Sequence, residues 1–116
     1  MAEGHRSFEA LPYAHSCRRI DFDLVELRER ARPCGRLLLV SGVTPWADLC
    51  VTLEPLVYLE VPEFWVIEVV GRLTASGLPA WVDFCAALRL GSVQGRRGIE
   101  IVGATKSERK VLNSES

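Results

Sequence analysis

The sequence lacks most of the residues on which catalytic sites depend. Its histidines, His5 and His15, both fall within the first 15 residues. A nucleophile ordered by an imidazole, or a His-based metal site, therefore has no partner in the strand-rich remainder, and "HSC" at 15–17 is not the geometry of a triad. Lysine is nearly missing too: of 14 basic residues only Lys106 and Lys110 are not arginine, and the net charge is -1. That balance provides no electrostatic footprint for nucleic acid or an anionic membrane. The four cysteines, Cys17, Cys34, Cys50 and Cys85, form no CxxC and no paired ligand spacing, so no zinc site is expected. No aspartate-rich loop suggests calcium. Neither a phosphate-binding GxxxxGK[ST] nor a dinucleotide GxGxxG occurs, and no cofactor is expected.

Long apolar runs are absent as well. Nothing approaches the roughly 20 residues of a membrane helix, and the opening "MAEGHRSFEALPYAH" has no apolar stretch of signal-peptide type. A cytoplasmic protein with reduced thiols is the expectation. Cys50 and Cys85 then read as small core residues, and Cys34 in "RPCGR" as exposed in a turn.

What is present suits one small domain. A chain of 116 residues, 48% hydrophobic and 25% charged, can bury one core but not two. Residues 1–18 have mixed polarity and no sustained period, which reads as a flexible arm. Residues 19–112 form the expected single β-rich domain, and 113–116 a frayed tail. The stretch "RRIDFDLVELRERARPCG" is ambiguous. Ile20, Phe22 and Leu24 alternate as in a strand, whereas Leu24, Leu27 and Ala31, with a capping box at Asp23 and Glu26 and a Glu26–Arg30 pair, fit a helix. An edge strand running into, or replaced by, a short N-terminal helix is the reading.

From Arg36 the pattern is cleaner. "RLLLVSGV", "DLCVTLE", "LVYLEV", "FWVIEVVGRL", "AWVDFCAALRL" and "RGIEIVGAT" are short runs rich in Val, Ile, Leu and aromatics, separated by Gly- and Pro-bearing turns. Their spacing predicts a mainly β protein, a small antiparallel sandwich or barrel, because parallel crossovers need longer connections. Pro55 splits the run from Leu49 to Val61 into two strands with a corner, or marks a bulged edge strand. The resemblance of "WVIEVVGRL" to "RGIEIVGAT" is weak evidence for an internal duplication.

Carboxylates stand inside these apolar runs, and side-chain alternation assigns them to faces. Glu54 and Glu100 read as solvent-facing, whereas Asp83 shares a mixed face with Trp81, Cys85 and Arg89. Glu68 shares its face with Phe64, Val66 and Val70, while Trp65, Ile67 and Val69 occupy the other. A strand apolar on both faces implies that both are covered, by barrel closure or by a second subunit packed on an apolar sheet face. An unpaired buried Glu68 would cost several kcal/mol, so Arg72 or Arg89 is the expected partner.

Three functions compete on this reading. The favoured one is a small non-catalytic binding or protein-interaction module, homodimeric through that face, with Trp46, Trp65, Trp81, Arg89, Arg96 and Arg97 as contact residues for a partner or a small apolar or anionic ligand. The second is a small isomerase or hydrolase using Glu68 with Asp83 or Glu100 in a β-lined pocket, with Arg96 or Arg97 of "GSVQGRRG" gripping an anionic substrate as part of an anion nest. The third and weakest, single-stranded nucleic acid stacked on the aromatics, runs against the near-neutral charge. No membrane association is expected.

Overall fold

The computed structural model describes residues 17–30, 35–74 and 77–112, and within them eight strands and no helix form. In chain order these are β1 (Cys17–Arg19), β2 (Leu24–Arg30), β3 (Gly35–Trp46), β4 (Leu49–Pro55), β5 (Phe64–Leu73), β6 (Pro79–Arg89), β7 (Gly98–Val102) and β8 (Ser107–Val111). They make two sheets. Sheet A is built on β5, with β4 along one edge and β1 and β7 sharing the other, and β8 lies beyond β7. Sheet B has the order β2-β3-β6 and is antiparallel throughout. Among the described residues no ladder joins the sheets, so they do not close into a barrel.

The helical alternative for the N-terminal stretch is overturned. Seven consecutive pairings bind β2 to β3, from Leu24↔Ser41 to Arg30↔Gly35, and a full ladder outweighs two local helix signals. Val25 is buried and Leu27 half-buried, while Glu26 and Arg28 are exposed and pair at 3.4 Å, two residues apart as same-face neighbours on a strand are. Ile20 and Phe22 also turn inward, so the inward parity flips near Asp23, where the chain leaves sheet A for sheet B. Strand β1 begins at Cys17, inside the segment assigned to the arm; residues 1–16 and 113–116 lie outside the described residues.

The sheets are also not wholly antiparallel. β5 and β7 run parallel, Phe64↔Gly98 to Glu68↔Val102. The crossover between them is β6, a strand of the other sheet rather than a helix, and this is why the lack of a helical pattern misled. The two similar sequence runs thus lie side by side.

The "LVYLEV" run forms no strand. At Leu56 the N–H still bonds Val66 O at 3.0 Å, but the return bond is replaced: Val66 N–H goes to the Tyr58 hydroxyl at 3.3 Å, and Leu56 O accepts from Trp65 Nε1 at 2.9 Å. Side chains complete the last rung, and the chain peels away just beyond Pro55, which has no N–H for a ladder. Val57 and Leu59 are left fully in solvent at 94% and 103% exposure.

Both sheets feed one core. Val25, Leu38, Val40 and Ala86 from sheet B meet Leu53, Ile67, Val69, Ile99 and Ile101 from sheet A, with Phe22 and Leu90 at the margins. Fully burying a side chain of this size contributes about 1.5–3 kcal/mol. One polar group is trapped among them: Thr44 is 2% exposed, and its hydroxyl has no hydrogen-bond partner among the described residues.

Two aspartates lock the connections. Asp48, in the tight β3–β4 corner, accepts from the Leu78 and Gly77 amides at 2.9 and 3.0 Å, and these bonds hold its carboxyl below the usual range. Asp21 accepts from the Thr105 amide at 2.8 Å and from its hydroxyl. Desolvation pushes Asp21 up, but bonds from Thr105, Ala104 and Lys106 outweigh it and leave the pKa lowered.

Candidate functional site

The outer face of sheet A carries the strand carboxylates and explains them. Glu54 and Glu68 are direct cross-strand partners, and Glu100 lies beside Val66 on β7. Arginines from neighbouring strands answer them: Arg19 Nη1 is 4.0 Å from Glu68 Oε2, and Arg109 Nε is 3.5 Å from Glu100 Oε1. Glu68 is one-third exposed at 33%. Its partner is Arg19, not Arg72, which bonds Cys17 Sγ, nor Arg89, which belongs to sheet B. The apolar residues on this face have their own cover, since the Arg97 and Arg109 guanidiniums stand over the Phe64 ring at 5.3 and 4.4 Å. Arginine stems and heads thus cover part of the outer side of β5.

Asp83 is remote from these acids. It lies opposite Val43 on the outer face of sheet B and is exposed. An open depression of about 500 Å³ lies beside it, lined by Asp23, Ser41, Gly42, Val43, Phe84 and Cys85. The arrangement separates Asp83 from Glu68 and Glu100 by the whole thickness of the molecule.

The loop from 91 to 98 directs its donors inward. The amides of Val93, Gln94, Gly95, Arg96 and Arg97 all donate to backbone carbonyls, the last two to Pro62 and Glu63 at 2.8 Å. Arg96 Nη1 reaches Val61 O at 3.1 Å, and Arg97 Nη1 bonds Glu63 at 2.8 Å. That bond, with the positive charges of Arg97, Arg96 and Arg109, lowers the Glu63 pKa. These arginines strap the loop to residues 61–63 and do not converge on an open anion site.

The aromatic residues are dispersed. Trp65 packs against the core and meets Tyr58 edge-on at 5.2 Å. Phe84 also packs inward, and Trp46 lies half-buried over Gly77, whose φ of 90° brings its backbone close to the indole. Among the described aromatics only Trp81 stands out, at 76% exposure on sheet B. Cys50 and Cys85, expected in the core, are exposed. Alternation places them with Thr52 and Glu54 and with Trp81 and Asp83, and parity overrides their apolar character. Cys34 lies outside the described residues, as do both histidines.

Sheet B holds the surface that remains open. Its outer face presents Leu24 from β2, Leu37, Leu39, Ser41 and Val43 from β3, and Trp81, Asp83, Cys85, Ala87 and Arg89 from β6. Leu24 and Val43 are 52% and 46% exposed. Asp23 and Asp83 lie towards one end of this face and Arg28 and Arg89 towards the other, with Glu26 between them paired to Arg28. Sequence reasoning singled out β5 as apolar on both sides and passed over β3, although "LLLV" carried the same signal. No family model matches the chain, and neither does any curated protein or solved structure. Among the described residues no helix is long and apolar enough to cross a membrane.

Proposed function

We propose that this chain is a non-catalytic protein-interaction module, a two-layer β-sandwich that works through sheet B and forms a homodimer there. The observation that carries the reading is the open apolar surface of Leu24, Leu39, Val43 and Trp81, which no other described element covers. Further support comes from the acids. A hydrolase or isomerase needs two of them in one enclosed pocket, whereas Glu68 and Glu100 lie on an open, arginine-laced face and Asp83 on the opposite layer. The contact residues of the module are then Trp81, Asp83 and Arg89 with Leu24, Leu39 and Val43, while Trp65, Arg96 and Arg97 serve the fold.

Light scattering over roughly 1–100 µM tests the dimer. The expected result is a mass that rises towards twice that of the chain. A monomer at every concentration would remove the dimer from the reading.

A further inference from the structure

Among the described residues, the strands that form sheet edges are not defended alike. Exposed edges invite pairing with another chain, and proteins blunt them with charge or proline. β2 reads "LVELRER" and β8 "SERKV", each dense in charge, and β4 ends on Pro55. β6 reads "PAWVDFCAALR", eleven residues whose only proline is the first and whose only charges are Asp83 and Arg89. Among the described residues it has one strand neighbour, β3.

The hydrogen-bond parity of β6 is fixed. Leu90 N–H bonds Arg36 O at 3.1 Å, in register with Leu88↔Leu38 and Ala86↔Val40. From Val82 to Leu90 the even-numbered residues therefore bond β3, and the N–H and C=O of Asp83, Cys85, Ala87 and Arg89 point to the open edge; beyond Val82 the register shifts in a bulge between Thr44 and Trp46. The side chains of these four residues and of Trp81 are exposed.

We propose that two copies of this chain join along β6, antiparallel and centred on Cys85, so that two three-stranded sheets become one of six strands. The inference rests on the homodimer reading and names its geometry. A two-fold axis through Cys85 sets Trp81 opposite Arg89 of the second copy, Asp83 opposite Ala87, and Cys85 opposite itself. All five outward residues find partners. A one-step slip in one direction brings in Pro79, which has no N–H; in the other it runs off the strand at Gly91, where φ is 50°. The pairing stacks a guanidinium on an indole twice and places Asp83 diagonal to Arg89, within reach of long side chains. It also avoids facing Asp83 with its own copy. The apolar outer faces become continuous across the dimer, which enlarges the contact surface without burying it.

Three measurements test this. Ala87→Pro removes an outward N–H and leaves the bonds to β3 intact, as edge prolines do; the expected product is a folded monomer at roughly 100 µM, where the parent chain is a dimer. A variant keeping Cys85 alone (Cys17→Ser, Cys34→Ser, Cys50→Ser) should cross-link to a covalent dimer with a short bis-maleimide, whereas the counterpart keeping Cys50 alone should not. In the unaltered protein, amide exchange at 83, 85, 87 and 89 should slow as concentration rises through the dimerisation range. This last readout decides the matter if the proline variant fails to fold. A chain that stays monomeric sinks the homodimer reading together with this geometry. A dimer that survives Ala87→Pro, with those four amides still exchanging freely, leaves the homodimer standing and overturns the edge pairing.

Discussion

The two outer faces of this molecule solve the same problem in opposite ways. Each belongs to a sheet whose inner face feeds one shared core, and each has apolar side chains to dispose of. On sheet A, Phe64 lies under two guanidiniums, and Glu68 and Glu100 meet arginines from neighbouring strands. On sheet B, Leu24, Val43 and Trp81 stand largely in solvent, and no other described element covers them. A face that covers itself with its own side chains has no need of a partner, and a face left bare gains from one. The difference teaches that apolar residues on both sides of a strand do not by themselves announce an interface; what lies on the neighbouring strands decides.

The sharpest way to break the comparison acts through glycine, because the two sheets tolerate a methyl group differently. A Cβ at Gly98 on β7 would collide with Lys110 O, a backbone atom held in the β7–β8 ladder. On β3, a Cβ at Gly42 would meet the Phe84 ring at 3.0 Å, and a ring edge can swing away. Gly98→Ala is therefore expected to cost more than about 4 kcal/mol, and Gly42→Ala about 1–3 kcal/mol. Urea denaturation of the two variants measures both. Equal losses would mean that sheet B is as rigid as sheet A.

The sequence carried the β class, the positions of β3 to β7 and the outward parity of Glu54 and Glu100, but it read a strand into "LVYLEV" and missed β8. It could not show that β6 crosses to the other sheet between β5 and β7, because a crossover strand and a hairpin strand have the same alternation. Nor could it show that Tyr58 and Trp65 replace the final rung of β4, since that depends on two side chains meeting in space. The partner of Glu68 was out of reach for a similar reason: Arg19 is brought beside it by the Arg19↔Val70 pairing, 49 residues apart in the chain. Of the candidate site, Trp81, Asp83 and Arg89 were legible as one face, but Leu24, Leu39 and Val43 were not joined to them.

A smaller effect separates the sheets from the core they share. The Thr44 hydroxyl on β3 is buried with no partner among the described residues, a desolvation cost that Thr44→Val removes while nearly preserving shape. The expected gain is about 1 kcal/mol, read as a higher denaturation midpoint with an unchanged slope. A loss would mean that the hydroxyl has found a bound water, as buried polar groups commonly do.

Acid should loosen the corners before it reaches either face. The Asp48 and Asp21 pKa values are both lowered on folding from 3.8. A depressed carboxyl contributes stability that is complete above its unfolded value and is lost as pH falls through the lower folded one. Stability should therefore be level down to about pH 4 and fall below it, with Asp48→Asn flattening that fall. If the variant retained the full acid sensitivity, the Asp48 bonds to Gly77 and Leu78 would be too weak in solution to matter.

Least of all should come from Glu68, the residue whose position in the strand looked most costly. Two small terms of opposite sign meet there. The contact with Arg19 is long, at 4.0 Å, and half in solvent, which makes it worth well under 1 kcal/mol. Glu54 lies directly across the ladder, and like charges so placed repel by a similar amount. Glu68→Gln removes both at once, so the expected change is within about 0.5 kcal/mol in either direction. Raising the salt concentration should shrink even that, because both terms are screened. A variant stabilised by much more would point to a desolvated acid held for proton transfer, and the catalytic reading would return. A variant destabilised by more would make the Arg19 pair a fixture of sheet A, and its outer face would owe its closure to charge rather than to arginine stems over Phe64.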